Sequence, residues 1–134
     1  MIINESTYVD QAEDVIRQLE KNKDNKGKTI RITTTKIRNL LAMSADIYNE
    51  ILGKDEKLSE EICAKIDYLR VRFIYECGRD KDRDRNEPVK KFVEKAKLIE
   101  ALKEIQGSRK RFILFNRYLE ALVAYHRYYG GKDR

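Results

Sequence analysis

The chain has 134 residues, with 29 Lys plus Arg against 23 Asp plus Glu, one His and two Cys, and a formal net charge of +6. That length suits one domain with a single packed core and no disulfide staples, and it is read as a helical bundle over 1–134 with 1–6 and 131–134 weakly ordered. Both signs of charge are interleaved, no apolar run approaches the roughly 20 residues of a membrane span, and the N-terminal stretch is acidic instead of signal-like. A membrane protein is thereby excluded and a cytoplasmic location expected.

In chain order, Ser6 or Thr7 caps a first helix over 7–21, with Tyr8, Ala12, Val15, Ile16 and Leu19 at helical spacing. Residues 21–28 form a polar, Gly-containing linker, and 29–34 a brief extended piece too short to found a sheet. Thr33 or Thr34 caps a second helix over 35–52, amphipathic through Ile37, Leu40, Leu41, Ser44, Ile47, Tyr48 and Ile51. Lys36 and Arg38 lie at its start, where cations oppose the helix dipole. They are either indifferent surface residues or placed to hold an anion near free backbone amides.

A third helix over 58–78 is apolar almost all round, which describes a central helix. Ile62, Ile66, Leu69, Phe73 and Cys77 make one stripe, and Tyr68, Val71 and Tyr75 a second. Arg70 and Arg72 flank the main stripe from either side, and Arg79 continues the edge of Arg72. An ion pair with nearby Glu76 explains Arg72 well and Arg79 less well. Cys63 and Cys77 lie fourteen residues apart on this helix, about 21 Å along its axis and beyond disulfide reach. Buried free thiols in a reducing compartment are expected.

The stretch 79–86 alternates basic and acidic residues and reads most simply as a solvated connector, although an extended strand of it would set its cations on one side. Asn86 caps a fourth helix over 87–106, with Pro88 in its first turn and Val89, Phe92, Val93, Ala96, Ile99, Leu102 and Ile105 on one face. Gly107 closes it. Ser108 opens the last and longest helix, 109–129, whose main stripe is Phe112, Phe115, Leu119, Leu122, Val123, His126 and Tyr129. A second strip on it holds Leu114, Ala121, Tyr125 and Tyr128. A polar lane of Arg109, Asn116, Arg117, Glu120 and Arg127 lies between them. From residue 107 onward there are seven Lys plus Arg against two Asp plus Glu, so core and charge excess meet here. The third and last helices are expected to be the most buried.

No chemistry-bearing constellation accompanies this pattern. His126 has no ligand partner at metal spacing and reads as a core or interface histidine, the cysteines are not paired for metal, and no glycine-rich phosphate loop occurs. No enzyme activity, cofactor, metal or small-molecule substrate is expected. Basic edges with eight tyrosines fit a protein that follows RNA phosphates without reading sequence. They also fit a helical protein–protein adaptor whose basic surface has no direct RNA role. The exposed-side strips on the third and last helices are candidates for contact between copies of the chain.

Three blocks carry a family likeness: TTTKIRNLLAMSADIYNE (33–50), YLRVRFIYECGRD (68–80) with VKKF (89–92), and RYLEALVAYHRYYGG (117–131). Together they resemble the small helical subunit of type III-A CRISPR effector complexes, the Csm family. The resemblance implies a five-helix bundle that stacks with copies of itself into a short filament, beside the other effector subunits and in contact with guide RNA and target RNA. It also implies that the nuclease activities belong to other subunits. Carried over by position, the RNA-binding candidates are Lys36, Arg38, Arg70, Arg79 and Arg117, with Arg72 in the same block.

Overall fold

The computed structural model describes residues 1–80 and 86–132. Most of the charge-alternating connector, positions 81–85, and the final two residues lie outside the described residues. Six helices follow one another: α1 (Tyr8–Leu19), α2 (Thr34–Ile51), α3 (Glu60–Arg79), α4 (Pro88–Ala96), α5 (Leu98–Lys103) and α6 (Arg109–Tyr128). Five are longer than seven residues, and among the described residues the only β pairing is two isolated bridges, Lys23 with Thr29 and Lys57 with Ser108. The fold is all-α, as the sequence predicts.

Three helix starts are fixed by side-chain caps. The Thr33 hydroxyl accepts the Lys36 N–H at 3.3 Å, Ser59 the Ile62 N–H at 3.2 Å, and Ser108 the Arg111 N–H at 3.2 Å, each satisfying a donor that a helix start leaves bare. The fourth start is made differently. Glu87, in a left-handed conformation (φ 52°), occupies the cap position that the sequence assigns to Asn86, and its side chain makes no capping bond. Pro88 has no N–H to satisfy, and the next N–H, of Val89, donates to the Asp80 carboxylate at 3.1 Å. An acid nine residues upstream thus does the capping.

The predicted fourth helix is divided at Lys97, whose backbone is left-handed (φ 58°). The apolar spacing explains the break. Val89, Phe92, Val93 and Ala96 share one helical face, but Leu98 would then point about 200° away from Ala96. Resetting the phase at Lys97 turns Leu98, Ala101, Leu102 and Ile105 into the core, with Leu98 fully buried. The hydroxyl of Tyr118 donates to the Ala96 carbonyl at 3.0 Å, at the break itself, and burial pushes its pKa up to about 12.

Helix α6 is the centre. It packs on α1, α2 and α5, and it buries Phe112, Phe115, Asn116, Tyr118, Leu119, Leu122 and His126. Phe115 meets Phe73 of α3 at 6.3 Å and Phe112 at 5.9 Å between ring centroids. Truncating one such fully buried ring is expected to cost about 3–5 kcal/mol. Asn116, which the sequence sets in the exposed polar lane, is instead in the core: its side-chain oxygen accepts from Ser44 of α2 at 2.8 Å, and its amide donates to Glu120 at 3.0 Å.

Helix α3 departs from its expected central place. It packs against α2, α4 and α5 through Ile62, Ile66, Leu69 and Phe73, while Tyr68, Val71, Ile74 and Tyr75 are each more than half exposed. One covered side is what three neighbouring helices supply, and the second apolar strip remains open to solvent. On α6 the corresponding strip is partly covered, with Leu114, Ala121 and Tyr125 half-buried and Tyr128 exposed.

Residues 2, 3 and 132 are tied to this frame. Ile3 is buried, the Ile2 N–H donates to Glu104 at 2.7 Å, and the Thr34 N–H donates to the Lys132 carbonyl at 2.7 Å.

Candidate nucleic-acid interface

The basic residues singled out from the sequence fall into separate places. At the junction of α2 and α3, Lys36 forms an ion pair with the buried carboxylate of Asp80. Beside it Arg79 binds Glu76 through Nε at 2.8 Å, and its guanidinium lies 5.8 Å from the centroid of the Tyr75 ring. The hydrogen bond from Arg79 to Glu76 raises the arginine's pKa further. Arg38, two residues on and about 200° round α2 from Lys36, is exposed. The Glu76 pair that the sequence offers for Arg72 is therefore made by Arg79.

Arg70 and Arg72 lie on opposite sides of α3. Arg70, half-buried, faces a hollow shared with Lys103, Gln106 and Gly107 near the end of α5. Arg72, exposed, lines the trough between α3 and α2 beside Met43 and Asp46. Arg117 lies on a third surface, an open groove of about 810 Å³ between the N-terminal residues and the first half of α6, with Tyr8, Lys110 and Arg111. Among the described residues none forms an ion pair with Arg38, Arg70, Arg72 or Arg117.

Two other arginines of α6 serve the fold. Arg109 donates through Nε to the Ile51 carbonyl at 2.9 Å and through a terminal nitrogen to the Leu52 carbonyl at 2.8 Å. It thereby adds a second donor to the Ile51 carbonyl, which also accepts the Lys54 N–H at 3.0 Å, and supplies one to the Leu52 carbonyl at the end of α2. Arg111 does the same for α5 through the Glu104 carbonyl at 3.0 Å. The start of α6 is not open to an outside anion either. The Glu56 carboxylate accepts from the Ser108 hydroxyl at 2.5 Å and from the Lys110 N–H at 3.0 Å, and these bonds, the first above all, hold its pKa below the usual carboxylate range. Arg109 and Lys110 at this helix start thus lie beside a carboxylate of the same chain, and both charges help to lower its pKa.

His126 is buried, with Nε2 at 2.6 Å from the Ile32 carbonyl and Nδ1 without a partner. A carbonyl only accepts, so Nε2 carries a proton. Burial lowers its pKa. Cys63 and Cys77 are free and half-buried, and burial pushes the Cys77 thiol up to about 11, away from the thiolate form that reacts. Among the described residues no group of three or more His, Cys, Asp or Glu is arranged to hold a metal, and no helix is long and apolar enough to cross a membrane.

The family model described as Csm2 type III-A matches residues 11–132. The chain belongs to the Csm2 type III-A family. It is 44% identical over 132 residues to the CRISPR system Cms protein Csm2 of Streptococcus thermophilus, covering 98% of each chain. It is 41% identical over 135 residues to the protein of the same description from Mycobacterium tuberculosis, covering each in full. The Csm2 of Enterococcus italicus is 33% identical over 127 residues, 88% of this chain and 86% of its own. Membership makes the chain a Csm2-type small subunit of a type III-A CRISPR complex, the family that the three sequence blocks resemble. Within it, the Tyr118 hydroxyl bond at the α4–α5 break and the Ser44–Asn116 pair are features of the frame, whereas Arg38, Arg70, Arg72 and Arg117 have no ion-pair partner among the described residues.

Proposed function

We propose that the protein is a non-catalytic, RNA-binding structural subunit, one 134-residue helical domain that works in the cytoplasm beside the other effector subunits. Copies stack into a short filament that contacts the backbones of guide and target RNA through basic residues. The observation that carries this reading is the set of Arg38, Arg70, Arg72 and Arg117, which have no ion-pair partner among the described residues. Unpaired surface cations distributed over several faces suit a polyanion that passes along the molecule. They give affinity without base preference. Lys36 and Arg79, already engaged with Asp80 and Glu76, reach phosphate only by sharing or exchanging those partners.

Stacking draws support from where apolar side chains remain uncovered. Leu52 follows α2 at the end of the bundle where Arg109 begins α6, and Tyr128 closes α6 at the other. About 30 Å of helix separates these ends. A contact between unlike ends repeats without closing on itself, which is how open filaments arise.

Filter binding to single-stranded and duplex RNA at two salt concentrations tests the proposal. Affinity is expected to fall steeply with salt, and each of Arg38→Gln, Arg72→Gln and Arg117→Gln to reduce the logarithmic slope by about one. Salt-independent binding, or none, would support the adaptor reading instead. Sedimentation of Tyr128→Ala, expected to lose concentration-dependent association while staying helical, tests the stacking.

A further inference from the structure

The outward face of α3 has a composition that neither the core nor the unpaired arginines account for. Tyr68 and Tyr75 are each 60% exposed, and Val71 and Ile74 just over 50%. At 100° per residue Tyr68, Arg72, Tyr75 and Arg79 fall within about 60° of one another, in a line running up the helix. The line is a repeat: a tyrosine with an arginine four residues on, and the same again seven residues later, so that the two rings stand about 10.5 Å apart along the axis. Arg79 already lies over the Tyr75 ring at 5.8 Å. Along the helix from Tyr68 to Arg79 the one acid, Glu76, is half-buried and bound to Arg79, while exposed Asp46, Glu50 and Glu61 line the trough toward α2 with Tyr68 and Arg72.

We propose that this face is a stacking platform for single-stranded RNA, in which bases lie on the Tyr68 and Tyr75 rings and Arg72 and Arg79 meet the neighbouring phosphates. The proposal rests on the RNA-binding reading above and goes further, since it assigns the bases a surface and selects single strands. Aromatic rings beside cations are the surface that unpaired bases recognise, without regard to sequence, because every base has a π-face. Bases inside a duplex are already stacked on one another and present only their edges. A second copy of the chain fits this face poorly. Apposing it to itself sets Arg72 and Arg79 against the same two residues of the other copy. Like charges brought together at an interface oppose association.

The test uses the full-length protein with a 12-nucleotide oligouridylate and a blunt RNA duplex of the same length. Tyr68→Ala with Tyr75→Ala is expected to weaken single-strand binding roughly 5- to 100-fold for each ring removed, leaving the salt slope and duplex affinity unchanged. Phe at both positions restores binding and Leu at both does not, since Leu keeps the apolar area and loses the ring. Wild-type affinity in the Leu or Ala variants, with RNA binding otherwise intact, overturns the platform and leaves the RNA-binding reading standing. A wild-type protein with no RNA affinity overturns both. Altered sedimentation with unchanged RNA binding in the Ala variant assigns the face to a protein partner, and a large drop in melting temperature returns the rings to the core; either result overturns the proposal.

Discussion

Lys36 at the start of α2 and Asp80 at the end of α3 form an ion pair whose carboxylate side chain is 3% exposed and whose ammonium side chain is 48% exposed. The other carboxylate oxygen takes the Val89 N–H of α4, so one side chain ties three helices. Asp80→Ala removes a cap, at about 1 kcal/mol, and a pair whose value is discounted by the solvent around Lys36 to about 1 kcal/mol or less. The expected loss is therefore about 2 kcal/mol in urea denaturation. Asp80→Asn keeps an acceptor for Val89 and loses about half as much. Lys36→Met removes a partner from a buried carboxylate and is expected to lower stability by about 1–3 kcal/mol. RNA affinity of Lys36 variants is therefore to be read beside their melting temperatures.

The Ser44–Asn116 hydrogen bond joins α2 to α6 in the core. Ser44→Ala leaves the Asn116 oxygen buried with no donor, and Asn116→Ala strands the serine hydroxyl and opens space, each costing about 1–3 kcal/mol. The double variant is expected to cost less than the two singles added, by about 1 kcal/mol. Strict additivity in a double-mutant cycle would show that the bond contributes nothing.

His126 makes the fold sensitive to acid. Its folded pKa lies below the unfolded value of 6.5, mainly through burial, with Arg31 and Arg127 lowering it further and Glu20 and the Ile32 carbonyl raising it. The unfolded chain takes up the proton first. Stability from this group is thus full above about pH 7, falls as pH drops below 6.5, and levels off once the folded ring also protonates. His126→Gln, whose amide can donate to the same carbonyl, is expected to flatten the melting temperature between pH 7 and 5. The residue opposite is also constrained: a Cβ on Gly131 would meet ring atoms of His126 at 2.2 and 2.3 Å. Gly131→Ala is accordingly predicted to cost a few kcal/mol, seen in a thermal melt.

Lys97 holds a left-handed backbone between α4 and α5, a conformation that costs an L-residue roughly 1 kcal/mol. Lys97→Gly is expected to raise stability by up to about 1 kcal/mol in urea denaturation. A loss of that size would mean that the break owes more to the lysine side chain than to backbone geometry.

Helix positions were readable because their signals are local. Thr33 and Ser108 each precede an apolar run at helical spacing, and the 3.6-residue period of Phe112, Phe115, Leu119 and Leu122 sets a buried face with no knowledge of the neighbours. The break at Lys97 was present in the sequence only as a phase slip between Ala96 and Leu98, with no Gly or Pro to mark it. The basic candidates were visible as residues, but their partners were not: Lys36 meets an acid 44 positions away and Lys110 offers its N–H to Glu56.

By itself the sequence determined the all-α class, the starts of α2 and α6, the core face of α6 and, through three blocks of residues, the family. These depend on neighbours within a few turns, where chain geometry is rigid. Only the tertiary structure decided that Asn116 is inside, that Asp80 is a buried cap, and that the second strip of α3 faces solvent. Each of those depends on which helix lies opposite, and periodicity measures how apolar a face is but not whether anything covers it.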